Sequence, residues 1–287
     1  MKTNRFGRMQ RSKMLYLITL LVFTANVVFA GSEVVSTYSP SMNKEISAVV
    51  ITPDSYNKVK EYPVLYLLHG YSGNYKSYLE QIPDIQQIVD SYDFIIVCPD
   101  GNYSSWYFDS PLESDWKYET YVSDELVKWV DSHYSTIPSR EGRAITGLSM
   151  GGHGAFYLAF RHQDVYGAAG SMSGGVDIRP FPLKWEIAKH LGSYSEYPDN
   201  WESNSVINLV YLLTPGSLRI LFDCGSEDFF YKVNCNLHEK LLERNIPHDF
   251  ISRPGKHNWD YWRNSIEYQA LFFHRFFQES AATDKKK

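Results

Sequence analysis

Cysteine is scarce in this chain. Three residues of 287, Cys98, Cys224 and Cys235, are too few and odd in number for a disulfide scaffold, and no CxxC pair offers the spacing of a structural zinc site. Basic charge is equally short beyond the first 30 residues. Those 30 carry Lys2, Arg5, Arg8, Arg11 and Lys13 and no acid, so the remainder sets 23 basic residues against 33 acidic ones, a net charge of −10. A body that acidic argues against nucleic acid or an anionic lipid surface as a partner. Internal repeats and dividing linkers are also lacking. The one long hydrophobic run, Met14 to Ala30, is interrupted by Thr24 and Asn26, and a membrane span needs about 20 strongly apolar residues. With basic residues before it and Val28-Phe29-Ala30 at its end, this start reads as a secretory signal cleaved after Ala30. The expectation is a protein secreted or periplasmic, free of the membrane after cleavage, with residues 31–287 as a single domain.

What is present is a balance of 44% hydrophobic and 21% charged residues, enough to build a core. Short β-rich runs alternate with amphipathic ones, which predicts an α/β fold with a mostly parallel central sheet and helices on both faces. Strands are expected at Ile46–Thr52, Val64–His69, Phe94–Cys98, Arg143–Leu148, Gly167–Met172, Leu218–Cys224 and Asp249–Arg253. Helices are expected at Tyr75–Ser91, Tyr118–His133, Gly151–Arg161, Val233–Arg244 and Trp259–Gln278. In the second helix Tyr121, Leu126, Trp129 and Val130 mark the apolar stripe, with Asp124, Glu125, Lys128 and Asp131 towards solvent. Two stretches break the alternation. Residues 99–117 form a long aromatic loop, and residues 174–216, with Trp185, Tyr194, Tyr197 and Trp201, read as a small cap insertion over one edge of the sheet. The tail from Ala281 to Lys287 reads as a frayed end.

The sharpest chemical signal is Gly147-Leu148-Ser149-Met150-Gly151-Gly152, between a predicted strand and a predicted helix. This is the G-x-S-x-G elbow in its required context: the glycines leave room for an abrupt turn that lifts the serine hydroxyl above the sheet. A serine needs a base, and the base an acid, in the order Ser, Asp or Glu, His along this fold. His257, in a turn between the last strand and the last helix, is the candidate base, while His238 and His274 lie within helices and His248 beside the last strand. Asp228 is the favoured acid because it lies deepest in the loop after Cys224, with Asp223 and Glu227 as rivals. An oxyanion would need two N–H donors: Met150 at the start of the elbow helix, and Tyr71, with Gly70 as the alternative, in the loop after the Val64–His69 strand. His69 reads as a buried structural histidine.

With these residues in hand, the chain resembles the esterase-D-like branch of the α/β-hydrolases. That group includes the feruloyl and acetyl xylan esterases of carbohydrate esterase family 1, the S-formylglutathione hydrolases and the mycolyltransferases. The resemblance covers nearly all of residues 34–278. It rests on Ser39-Pro40-Ser41-Met42, Leu67-Leu68-His69-Gly70, Pro99-Asp100-Gly101, Ser105-Trp106-Tyr107 to Tyr118-Glu119-Thr120, the Ser149 elbow, Cys224-Gly225-Ser226-Glu227-Asp228 and Gly255-Lys256-His257-Asn258-Trp259. It implies an α/β-hydrolase fold, a Ser149, Asp228, His257 triad, oxyanion donors on Tyr71 and Met150, and no metal or cofactor. Gly-Lys-His stands where Gly-Gly-His is frequent.

The resemblance and the signal together imply a secreted serine ester hydrolase that removes feruloyl or acetyl groups from plant cell-wall polysaccharide. Trp106, Tyr107, Trp185 and Trp201 are the candidates for stacking on phenolic rings or sugar faces. The alternatives are a general short-chain acyl esterase, a non-catalytic carbohydrate-binding protein on the same fold, and a peptidase, for which the chain lacks a gating domain.

Overall fold

The computed structural model describes residues 31–284. The signal expected at residues 1–30 lies outside the described residues. Eight strands form one sheet: β1 (Ser32–Ser39), β2 (Lys44–Ile51), β3 (Val64–Leu68), β4 (Ile95–Pro99), β5 (Arg143–Gly147), β6 (Ala168–Met172), β7 (Arg219–Gly225) and β8 (Asp249–Arg253). Their order is β1-β2-β4-β3-β5-β6-β7-β8; β1, β2 and β4 pair antiparallel, and every other pairing is parallel. Seven strands match the predicted runs to within two residues at each end. β1 is the additional one, a half-exposed hairpin partner of β2 whose polar alternation carries no buried-strand signature.

The sheet separates two apolar layers. Along β3, Val64, Tyr66 and Leu68 face one layer, and Leu65 and Leu67 the other, so every side chain of the strand is buried. α1 (Ser77–Gln81), α2 (Ile85–Tyr92) and the long C-terminal α10 (Trp259–Asp284) cover the second face; α3 (Tyr118–Thr120), α4 (Leu126–His133), α5 (Met150–Arg161) and α9 (Tyr231–Glu243) cover the first. The helix expected over Tyr75–Ser91 is two helices, because Pro83 cannot donate to the ladder and disfavours helical backbone at Ile82. The helix expected over Tyr118–His133 contains a π turn, Tyr121–Glu125. Two of its acids do not simply face solvent: Glu125 accepts from Ser39 Oγ and the Ser41 N–H, and Asp131 pairs with Arg143. The tail also departs from expectation, since α10 continues to Asp284. No helix among the described residues is long and apolar enough to cross a membrane.

Between β6 and β7 the cap folds into α6 (Ile187–Leu191), α7 (Pro198–Asn204) and α8 (Val206–Leu209), and α8 packs on α5 and α9. The aromatic loop after β4 runs beneath it. The thiols are free, with Cys98 and Cys224 buried and Cys235 half-buried.

Candidate active site

Ser149 sits between β5 and α5 with φ 56° and ψ −115°, a conformation that L-residues avoid. The neighbouring glycines explain how the turn closes. A Cβ on Gly147 would lie 2.5 Å from the Leu68 carbonyl oxygen, and one on Gly151 would lie 2.1 Å from it, so any side chain there would push the elbow off β3. The Ser149 N–H is tied to the Met172 carbonyl at 2.9 Å.

The two other predicted groups arrive from the far edge of the sheet. The loop after β7 and the turn after β8 are packed backbone to backbone: the Ser226 N–H donates to the Arg253 carbonyl at 2.8 Å, and the Glu227 N–H to the Gly255 carbonyl at 3.0 Å. Gly225 permits this approach, since a Cβ there would come within 2.3 Å of the Gly255 oxygen. The result is one chain of hydrogen bonds. Ser149 Oγ lies 2.8 Å from His257 Nε2, and His257 Nδ1 lies 2.8 Å from Asp228 Oδ2. The other carboxylate oxygen of Asp228 accepts from the Phe230 N–H at 2.8 Å, which fixes the acid's orientation. Phe229 and Trp262 flank the imidazole at ring distances of 4.2 and 4.8 Å.

The rival acids are engaged elsewhere. Asp223 is fully buried and accepts from Ser265 and Gln269; burial pushes its carboxyl up, against those bonds and the Arg253 guanidinium. Glu227 reaches outward to Lys256. His69 is structural as read: Nε2 accepts the Gly101 N–H at 2.7 Å, and burial pushes its pKa down. His238 and His248 bond to each other, away from Ser149.

A cavity of about 420 Å³ opens over Ser149 and His257. Tyr71 and Gly70 line it, and among the described residues the N–H groups of Gly70, Tyr71 and Met150 have no hydrogen-bond partner. Gly70 is held hard against the elbow, as a Cβ there would lie 2.7 Å from Leu148 Cδ1. Tyr71 packs on Tyr103 at 4.8 Å, and burial pushes its phenol up to about 12. Trp185, Phe229, Trp259 and Trp262 give the cavity an aromatic lining, and Asn74, Ser77, Glu80 and Gln81 a polar one.

Of the four aromatics expected to touch substrate, only Trp185 lines this cavity. Trp106, Tyr107 and Trp201 are 1%, 0% and 0% exposed, and each is a scaffold. Tyr107 fills the space that the missing Cβ atoms of Gly101 and Gly154 leave and donates to the His69 carbonyl at 3.0 Å. Trp106 donates to the Trp185 carbonyl at 3.2 Å, and Trp201 to the Gly192 carbonyl at 2.9 Å. Composition marks such residues as large and apolar, but only the packing separates wall from core. Phe229, Trp259 and Trp262 were not among the expected contacts. Their position beside Asp228 and His257 in sequence was the available signal.

Comparison with known proteins points to one family and fold. The family model described as "Putative esterase" matches residues 39–273. An acetyl esterase of Caldicellulosiruptor saccharolyticus is 27% identical over 80% of this chain and 92% of its own length. An esterase of Mycobacterium tuberculosis is 33% identical over 45% of this chain, and that match spans only 29% of the mycobacterial protein. The structure of a ferulic acid esterase superposes with a TM-score of 0.74 at 29% identity, covering 87% of this chain and all of that one. Fold, elbow and matched length together place this chain in the esterase family, on the α/β-hydrolase fold.

Proposed function

We propose that the protein is a secreted serine hydrolase that removes feruloyl or acetyl groups from plant cell-wall polysaccharide. The observation that carries the chemistry is the 2.8 Å contact of Ser149 Oγ with His257 Nε2, beside free N–H groups, at the floor of an aromatic-walled cavity. His257, held in one tautomer by Asp228, accepts the Ser149 proton as Oγ attacks the ester carbonyl. The N–H groups of Tyr71 and Met150 receive the developing oxyanion. His257 then returns the proton to the departing alcohol, and water repeats the sequence on the acyl-enzyme.

The acyl group is argued from the wall. Trp185 and Phe229 lie 5.5 Å apart and nearly parallel, a surface suited to a planar phenolic ring. The likeness to a ferulic acid esterase supports the feruloyl reading, and the likeness to an acetyl esterase supports the smaller acyl group. Export is supported by the basic and then apolar run of residues 1–30. The test is the initial rate on methyl ferulate beside 4-nitrophenyl acetate. Turnover of methyl ferulate is the expected result; turnover of the acetate alone would replace the feruloyl reading with a deacetylase or a short-chain esterase.

A further inference from the structure

Trp185 and Glu186 stand side by side at φ 53° and 56°. Left-handed backbone at a non-glycine residue is unfavourable, and it persists only where surrounding contacts over-determine it. Here the polar contacts come from the aromatic loop, while the indole itself packs on Phe181, Phe229 and Phe230. Trp106 Nε1–H donates to the Trp185 carbonyl at 3.2 Å, and Ser104 Oγ–H donates to Glu186 Oε2 at 2.9 Å. Ser104 Oγ also lies 3.1 Å from Nε2 of His190, one helical turn along the cap, and His190 Nδ1 bonds Glu113 on the loop. His190 is stacked on Trp116 at 4.1 Å, and its carbonyl accepts from Ser110 Oγ at 2.7 Å. Ser104 and His190 are sealed from solvent, at 1% and 0% exposure. These polar ties between the cap and the loop fall on Trp185, Glu186 and His190.

We propose that Ser104, Glu186 and His190 form a latch that holds Trp185 over Ser149, and that Trp185 so held sets the preference for esters carrying an aromatic ring. This deepens the substrate reading above by naming what fixes its aromatic wall. Glu186 is a positioning residue: it lies outside the cavity lining and acts through the backbone of its neighbour. Loss of its bond to Ser104 lets the strained pair relax and carries the indole away from the ring it would stack on.

The test compares Glu186→Ala, which removes the acceptor, with Glu186→Gln, which keeps an amide oxygen for the Ser104 hydroxyl. The substrates are 4-nitrophenyl acetate, methyl ferulate and the ringless ethyl acetate. Glu186→Ala is expected to raise KM for the ring-bearing esters about three- to tenfold, the range of one lost aromatic contact. Its kcat, and its turnover of ethyl acetate, should stay within about twofold of wild type, since the reacting groups are untouched. Glu186→Gln should restore the wild-type KM. An equal change on ethyl acetate, or a Gln variant that behaves like Ala, overturns the latch. Ser104→Ala removes the donor from the loop side and must give the same KM contrast; an unchanged ratio overturns the proposal as well. If wild type leaves methyl ferulate intact while 4-nitrophenyl acetate shows the contrast, the feruloyl reading fails and the latch stands.

Discussion

Two chains of serine, histidine and carboxylate run through this molecule. Ser149, His257 and Asp228 are joined by contacts of 2.8 Å, and Ser104 approaches His190 at 3.1 Å, with Glu113 on the other ring nitrogen. As lists of donors and acceptors the two are almost the same. They differ in what surrounds the serine. Ser149 is lifted by a strained elbow to the floor of a cavity, with unpartnered N–H groups beside it. Ser104 is 1% exposed, and its oxygen already has Glu186 and His190 as neighbours. The comparison teaches that the hydrogen-bonded trio is not itself a catalyst: access, oxyanion donors and a hydroxyl with nothing else to bond are what make one of them reactive.

The largest effect that separates the two is removal of the serine. Ser149→Ala should lower kcat by about four to six orders of magnitude with the melting temperature retained, as removal of a triad nucleophile does. A fluorophosphonate should label wild type and Ser104→Ala alike and leave Ser149→Ala unlabelled; label found on Ser104 would erase the distinction. Next come the acids. Asp228→Asn should cost about three to four orders of magnitude in kcat by favouring the wrong imidazole tautomer, whereas Glu113→Gln should leave kcat within about tenfold, a difference steady-state kinetics reads directly.

A third histidine–carboxylate contact sharpens the contrast from the stability side. Burial pushes the Glu119 carboxyl up, but bonds from His162, Arg161 and Tyr157 outweigh it and hold the group at about 2. A carboxyl lowered by folding stabilises above its unfolded value and loses that contribution as pH falls through about 2. Chemical denaturation between pH 5 and pH 2 should therefore show a loss of about 3 kcal/mol assignable to this group, absent in Glu119→Gln. The same substitution should leave turnover at neutral pH unchanged.

Much of this was legible in the chain itself. Continuous apolar runs identified β3 and β4, and Gly147-Leu148-Ser149-Met150-Gly151 located the elbow, because only a few residue types satisfy that backbone. Asp228 and His257 followed from their loops, since each loop comes directly after a strand. The walls did not follow. Trp106, Tyr107 and Trp201 look in sequence like Trp185, and which of them meets the cavity depends on glycines far away, such as Gly154 beneath Tyr107. β1 escaped for a related reason: it is an edge strand paired with β2 alone, and half of it faces out.

The Leu68 carbonyl, against which Gly147 and Gly151 both close, lies two residues before the loop of Gly70 and Tyr71. The nucleophile and the loop opposite it are thereby fastened to a single point on a central strand, whereas Trp185 and Glu186, in the cap, are tied to the aromatic loop through side-chain bonds. The reacting groups should then hold their spacing until the sheet itself melts. The indole that lines the cavity sits on a separate mounting, so a change there should reach the cavity wall without moving the reacting groups.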